Sequence, residues 1–282
     1  MYLLLKLLAN FVGLFSPESI DKFAKRFAWF LFDIVKLRRQ LIIENIRRSF
    51  GTSMTDDQII AMGRTSVYHF VCTILEIFYS QRHNIISGIQ IDGREHMQKA
   101  LSQNKGVYVL CCHMGNWEAM GAKYTHDIRP ARVIVKKIGV ASVNRFVEGL
   151  RDKNGFLSIS RKKKGDGYRQ IIETLNQNNV VGFVMDQARR NEPKLQFFGH
   201  PARTNTSFAA IWQKRPAPIL PSFMIRHGFN RHTVYIWPEV ELQSTPDAAN
   251  DVLRFSQQFN DVVEKIVRFC PEQYFWMHDR WK

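Results

Sequence analysis

His113 and Glu118 lie five positions apart in Cys112-His113-Met114-Gly115-Asn116-Trp117-Glu118, and no other residues of this chain are better equipped for chemistry. An imidazole takes a proton from a hydroxyl near neutral pH, and a carboxylate beside it fixes its tautomer and stabilises the imidazolium that forms. On one regular helix five residues advance about 500°, which leaves the two side chains roughly 140° apart and out of reach. The pair therefore needs a bend between its members. The apolar run 106–112 reads as a buried strand, and 117–125 reads as a helix. Gly115 then supplies the turn and Asn116 the helix cap, with Glu118 in the first helical turn, where a carboxylate is favoured. On this reading His113 is the base and Glu118 its orienter. A lone His-x4-Glu also occurs where the histidine is only a hydrogen-bonded structural residue; the position at a strand's carboxyl end is what favours chemistry.

The elements that must position the pair follow from periodicity. From Gly88 onward, short β-rich runs at 106–112, 132–135, 156–160, 180–185, 219–225 and 233–237 alternate with helical segments at 94–102, 117–125, 143–153, 168–176, 207–213 and 248–269. Such alternation predicts an α/β fold, a mostly parallel mixed sheet flanked by helices. Sites in these sheets gather at the carboxyl ends of strands, where His113, Ser160-Arg161 and Asp186 all fall. Upstream, Ser16-Pro17-Glu18 starts a helix with a cap and an N1 proline, and helical patterns continue over 38–50, 55–64 and 66–79. The expected division is a helical segment 1–85, membrane-associating and packed on the core, and an α/β core 86–282, together one structural domain.

Other constellations bear on the same site. The run Ser160-Arg161-Lys162-Lys163-Lys164-Gly165 places four consecutive cations beside a glycine turn. It reads either as a solvated loop or as an anion clamp, with Arg161 nearest the strand end and Arg189-Arg190 adding to the same basic rim. Arg161, Lys162, Arg189, Asn116 and Asp186 are accordingly candidates for substrate or oxyanion contacts. A buried Asp186 needs a partner, for which an arginine or a substrate hydroxyl would serve. Cys112 beside His113 raises a thioester hydrolase with a cysteine nucleophile, although small apolar residues commonly fill such strands. No GxSxG elbow, GxxxxGK loop, HExxH or zinc-spaced His/Cys cluster is present, and Gly165-Asp166-Gly167 lacks the third glycine of a dinucleotide fingerprint. The expectation is no cofactor and no metal.

Bulk properties narrow the partners. With 45% hydrophobic residues in 282, the chain has material for a sizeable core and is neither disordered nor fibrous. The balance of 40 Lys+Arg against 25 Asp+Glu gives +15, so partners should be anionic. Nucleic acid is disfavoured: the basic residues are spread along the chain, no RNA- or DNA-binding signature appears, and an apolar N-terminus has no use in RNA recognition. The four cysteines show no CxxC spacing, which fits a reduced, cytosol-facing protein. The leading apolar stretch of about 13 residues, interrupted by Lys6 and Asn10, falls short of the ~20 that cross a bilayer and ends without a small-residue cleavage site. In the next helix Ile20, Phe23, Phe27, Phe30, Leu31 and Ile34 recur at helical spacing among Lys22, Lys25 and Arg26. That stripe would lie on an anionic membrane or pack on the domain; periodicity alone does not separate the two, and its pairing with the Leu-rich start favours the membrane.

The chain resembles the lipid A late (secondary) acyltransferases, the lauroyl and myristoyl transferases of lipopolysaccharide biosynthesis in the lysophospholipid acyltransferase superfamily. The likeness covers nearly the full length. It is carried by Leu37-Arg38-Arg39 through Glu44-Asn45-Ile46-Arg47-Arg48-Ser49-Phe50, by His113-Met114-Gly115-Asn116-Trp117-Glu118, and by Arg161 with Lys162 and Asp186-Gln187. Further matches are Phe197-Phe198-Gly199-His200-Pro201-Ala202 with Thr204 and Thr206, and the closing Pro271-Glu272-Gln273-Tyr274-Phe275-Trp276-Met277-His278-Asp279-Arg280-Trp281, in which Asp279 replaces a commonly found arginine. The resemblance implies a glycerol-phosphate acyltransferase-like fold and a His-x4-acid pair that deprotonates an acceptor hydroxyl. That hydroxyl attacks the thioester of an acyl-acyl carrier protein, with Arg161 binding phosphate or stabilising the oxyanion and Asp186 in a supporting role. It also implies a phosphorylated, anionic glycolipid acceptor, or another lipid such as a phosphatidylinositol mannoside, and residence on the cytoplasmic face of the inner membrane.

Overall fold

The computed structural model describes residues 1–134, 139–159, 165–187 and 191–282. Four helices open the chain: α1 (Tyr2–Val12), α2 (Pro17–Trp29), α3 (Arg39–Phe50) and α4 (Asp56–Tyr79). Ser16 caps α2 by accepting from the Ser19 amide, and Pro17 follows at N1, as the sequence predicts. The two segments expected at 55–64 and 66–79 are one continuous helix, α4. Thr55 and Gln58 start it with a reciprocal capping box, and Thr65 inside it turns its hydroxyl back onto the Ala61 carbonyl instead of ending it.

The remainder alternates. In chain order come β1 (Gln90–Asp92), α5 (Arg94–Leu101), β2 (Val107–Cys111), α6 (Trp117–Asp127), β3 (Ala131–Ile134), α7 (Ala141–Lys153), β4 (Leu157–Ile159), α8 (Asp166–Asn176) and β5 (Val180–Val184). Then follow β6 (Lys194–Phe197), β7 (His200–Arg203), α9 (Ser207–Lys214), β8 (Ile219–Gly228), β9 (Arg231–Ile236) and α10 (Ala248–Phe269). Among the described residues the main sheet has seven strands in the order β1-β9-β8-β2-β5-β3-β4, and only the β8/β9 hairpin is antiparallel. The α/β, mostly parallel mixed sheet is thus as expected. Strands β1, β6 and β7 are additions. They escape periodicity because β1 is three residues long and the β6–β7 hairpin forms a separate two-stranded ribbon with a proline at its centre.

Strand β2 lies in the middle of the sheet and is buried along its whole length, which is why it reads as a continuous apolar run. The main core runs from Ile20, Ala24, Ala28 and Phe32 through α4 to the sheet and α10, so the N-terminal helices and the α/β part share it. The apolar stripe of α2 divides. In α2 and the π-helical turn Phe30–Ile34 that continues it, Ile20, Ala24, Ala28 and Phe32, spaced by four, face the core, whereas Phe23, Phe27, Phe30 and Ile34 face outward, as do Leu3, Leu4, Leu7 and Phe11 of α1. Ala9 of α1 packs with Phe146 and Leu150 of α7. Among the described residues no single helix is long and apolar enough to cross a membrane; α1 together with 17–34 has the length and composition but is bent by 119°.

Candidate active site

Strands β2 and β5 are parallel neighbours with Cys111 directly opposite Val184. His113 and Asp186 each stand two residues beyond that matched pair, so the sheet itself delivers them side by side at its carboxyl edge. The His113 ring donates through Nδ1 to Asp186 Oδ1 at 2.8 Å, and the His113 backbone N–H donates to Oδ2 at 3.0 Å. Both carboxylate oxygens are thereby engaged by one residue. The Asp186 side chain is 2% exposed and that of His113 20%, so the acid is sealed beneath the ring while the ring reaches the surface. A proton held at Nδ1 by the carboxylate leaves Nε2 as the acceptor nitrogen. Burial pulls the His113 pKa down, but the charge and hydrogen bond of Asp186, with the field of Glu118 added, carry it above the ordinary imidazole value. For Asp186 burial pushes the carboxyl up, and the opposing pull of His113 holds it below the usual range. Trp117 and Phe275 flank the ring edge-on and tilted, with centroids 5.0 and 6.1 Å away, and the Gln187 amide nitrogen lies 3.4 Å from Nε2.

The turn is built as the sequence predicts, but one partner differs. Gly115 has φ +59°, and a β-carbon there would meet the Met224 carbonyl oxygen at 2.1 Å, so no other residue fits. Asn116 caps α6 by accepting from the Ala119 amide at 3.0 Å, and Glu118 sits in the first turn. Glu118, expected as the orienter of His113, turns instead to α7, where Arg151 grips it with Nε–Oε2 2.7 Å and Nη2–Oε1 2.5 Å. A guanidinium fork satisfies both carboxylate oxygens at once, which a single imidazole nitrogen cannot. Arg151 is itself steadied by the Ser158 hydroxyl at 2.9 Å. The carboxylate that bonds the His113 ring is Asp186, where an arginine or a substrate hydroxyl was the expected partner. Asn116, a candidate for substrate or oxyanion contact, is 1% exposed and spends both ends of its amide inside the protein, Oδ1 on the cap and Nδ2 on Glu76 at 2.8 Å. The candidates Arg161, Lys162 and Arg189 lie outside the described residues. Cys112 is buried, and burial together with Asp186 pushes its thiol far up, the reverse of an activated nucleophile. Among the described residues no three His, Cys, Asp or Glu side chains gather as a metal-binding group.

The distant motifs meet around this turn. Phe275 N–H donates to the His113 carbonyl at 3.0 Å, and Met114 bridges Tyr274, so the closing segment lies along the site. Asn45 of α3 donates to the carbonyls of Trp276 and His278 at 2.9 and 2.8 Å, and Arg280 donates to the Thr204 hydroxyl and the Asn260 amide oxygen at 3.3 and 3.2 Å. The model of the family "Bacterial lipid A biosynthesis acyltransferase" matches residues 2–282. The chain belongs to that family. A lipid A biosynthesis palmitoleoyltransferase of Escherichia coli (strain K12) is 23% identical over 196 residues, 68% of this chain and 61% of the relative. A phosphatidylinositol mannoside acyltransferase of Mycobacterium tuberculosis (strain CDC 1551 / Oshkosh) is 22% identical over 195 residues, 68% of this chain and 59% of the relative. The match thus spans about three-fifths of the length of these relatives.

Against the first turn of α6, on residues Asn116 and Glu118, this family member has a cavity of about 400 Å³ that neither His113 nor Asp186 lines. Glu118 and Arg151 form part of its wall, with Ala119 and Ala122 of α6, Val147 and Leu150 of α7, and Ile77, Ile86 and Phe156. Its lining is therefore mixed: these apolar side chains share it with the ion pair and with Arg82, His83, Asn84, His126 and Lys153.

Proposed function

We propose that the chain is an acyltransferase that moves a fatty acyl group from acyl-acyl carrier protein to a hydroxyl of a lipid A precursor, as a monotopic protein on the cytoplasmic face of the inner membrane. His113 Nε2 takes the acceptor hydroxyl's proton as the oxygen attacks the thioester carbonyl carbon. The tetrahedral intermediate collapses with loss of the carbon–sulfur bond, and the departing thiolate recovers the proton from the imidazolium. Asp186 holds the reactive tautomer and stabilises the imidazolium by charge. A thioester needs no covalent enzyme intermediate, in keeping with the absence of a serine elbow and with the buried, neutral Cys112. Glu118, locked by Arg151, adds a second, weaker field on His113 and walls the adjacent cavity.

The observation that carries this reading is the His113–Asp186 pair, sealed on the acid side and open on the ring side. Arg161 and Lys162 follow β4 in the sequence and Arg189 follows β5, and we assign them to the phosphate or oxyanion of the same reaction. The outward aromatic face of α2 and the leucines of α1 suit an interfacial membrane contact, and the net charge of +15 suits an anionic leaflet, an acidic carrier and a phosphorylated glycolipid. The mannoside-acylating relative favours a second reading, the same chemistry on another glycolipid. Mass spectrometry of lipid A and phospholipids from a deletion strain, complemented with wild type or His113→Ala, separates the two. Lipid A should lack one acyl chain unless the wild-type copy is present. Unaltered lipid A would move the claim to another lipid, and full complementation by His113→Ala would remove the base.

A further inference from the structure

We propose that Thr73 and Glu76, both buried on α4 behind the site, are positioning residues for the transfer: they fix the Gly115-Asn116 turn and thereby the placement of His113 against Asp186. The inference rests on His113 being the base.

The two residues lie three apart, on one face of the helix. The Thr73 hydroxyl accepts from Arg226 Nη2 at 2.9 Å and shares its proton between the Gly115 carbonyl at 2.8 Å and the His69 carbonyl at 3.0 Å, within its own helix. The Glu76 carboxylate is fully buried and receives four hydrogen bonds. Two come from Arg226, Nε at 3.0 Å and Nη2 at 2.8 Å, one from the Asn230 amide at 3.0 Å, and one from Asn116 Nδ2 at 2.8 Å. His232 Nε2 stands 3.1 Å away without the alignment of a hydrogen bond. Burial drives the Glu76 carboxyl up, yet Arg226 and His232 hold it well below the usual range, so it is an anion inside the protein.

Both ends of the Gly115-Asn116 peptide are thus tied to α4, one by its carbonyl and the other by the amide that caps α6. The closing segment holds the same stretch, with Phe275 N–H on the His113 carbonyl at 3.0 Å and Gly115 N–H on the Gln273 carbonyl at 3.4 Å, while Gln273 exchanges two hydrogen bonds with the Arg226 backbone at 2.8 Å each. His113 is two residues from Gly115, so any drift of this turn moves the ring against an aspartate that β5 holds in place. Replacing a buried ion pair by apolar groups of similar volume is often neutral or stabilising, so bulk stability does not account for the cluster. Directional bonds from α4 and the closing segment onto one turn do account for it.

The test uses the full-length enzyme in detergent with Thr73→Val, close in shape but without the hydroxyl, Thr73→Ser as the conservative rescue, and His113→Ala alongside. Transfer is measured from lauroyl-acyl carrier protein to a lipid A precursor with a free 3-hydroxyacyl hydroxyl, and the His113 ring is titrated by NMR in ¹³C-histidine-labelled protein. Thr73→Val should lower kcat per folded molecule roughly tenfold to a hundredfold, the cost of a small misplacement at the reacting group, with KM within about twofold of wild type. The His113 pKa should fall toward the free imidazole value, and Thr73→Ser should restore both. Wild-type kcat, or a fallen kcat with the His113 pKa in place, would overturn the inference, as would a lower melting temperature with both readouts unchanged. Should the valine variant not fold, Thr73→Ala is read by the same criteria. The titration needs no substrate, so it reports on the geometry even if the acceptor is another lipid. An inactive His113→Ala beside an unchanged Thr73→Val sinks this inference alone, whereas an active His113→Ala sinks the base assignment and this inference with it.

Discussion

Replacing Asp186 by Asn tests the dyad most sharply, because the structure dictates what the amide must do. The carboxylate accepts from two donors of one residue, the ring Nδ1–H and the backbone N–H of His113. An amide has one acceptor oxygen and one donor nitrogen, so it matches only one of them. The backbone donor cannot change. If the amide oxygen serves it, the amide nitrogen faces Nδ1 and forces the proton to Nε2, which removes the base; if the oxygen serves Nδ1, two N–H groups collide at the main chain. One charged hydrogen bond is lost in either arrangement, about 1.5–3 kcal/mol, which corresponds to a fall in kcat of at least roughly 10–10², and more where the tautomer is also reversed. Steady-state acyl transfer at saturating donor, compared with wild type, measures it. A variant within about threefold of wild-type kcat would refute the assignment of Asp186 as orienter and with it the tautomer argument.

The same substitution has a signed pH dependence. The base must be neutral, so wild-type kcat/KM should fall as pH drops through a His113 pKa lying above the ordinary imidazole value of about 6.5, and in Asp186→Asn this acid limb should move to lower pH. For stability, the raised His113 pKa means stabilisation fully present below the unfolded imidazole value and lost as pH rises through the folded one. The lowered Asp186 pKa means stabilisation present above the unfolded carboxyl value and lost as pH falls through the folded one. The pair thus stabilises the fold most between the two carboxyl and imidazole limits. The melting-temperature gap between wild type and Asp186→Asn should therefore narrow on both sides of that window, and a gap independent of pH would contradict the ion pair.

Two further outcomes are expected. Cys112→Ser should transfer acyl groups within about threefold of wild type and release no less fatty acid in the absence of acceptor, since its thiol is buried and neutral; loss of turnover with no loss of folding would revive the cysteine nucleophile. Phe23→Ser with Phe27→Ser removes two rings that are 54% and 38% exposed and stacked at 5.5 Å, so folding should be little affected. If those rings enter the lipid, each part-exposed ring contributes about 1 kcal/mol, and flotation with phosphatidylglycerol-containing vesicles should show binding weakened roughly 30-fold; unchanged flotation would refute the interfacial face.

What was legible in the sequence is what local chemistry encodes. The apolar run ending at Cys112, a glycine where the chain must turn, an asparagine able to cap and a carboxylate for the first turn all appear in place. The partner of His113 is not local. That β2 lies between β8 and β5 is a question of sheet order, and Asp186 meets the His113 ring only because β5 is a neighbour with Cys111 against Val184. Arg151 carries no pattern either; it is one of several basic residues on a surface-facing helix, and its pairing with Glu118 depends on how α6 and α7 pack. Glu76 did leave a signal, a lone carboxylate in the apolar run Thr73-Ile74-Leu75-Glu76-Ile77-Phe78, because a charge inside a buried helix must have a partner. That partner, Arg226, is 150 residues away on β8, so the requirement was readable and the answer was not.

The presence of two carboxylates near one histidine has a physical logic of its own. A base that works near neutral pH must be raised enough to accept a proton readily and not so far that it stays protonated. If Asp186 and Glu118 both bonded the ring, their charges would add in a site already short of water and hold His113 as imidazolium. Arg151 prevents this by taking both oxygens of Glu118, leaving only its field at His113, while the one carboxylate that accepts from the ring is Asp186. The expected His113–Glu118 contact and the observed Glu118–Arg151 pair are thus two ways of using the same carboxylate, and under the proposed mechanism only the second leaves the histidine free to cycle.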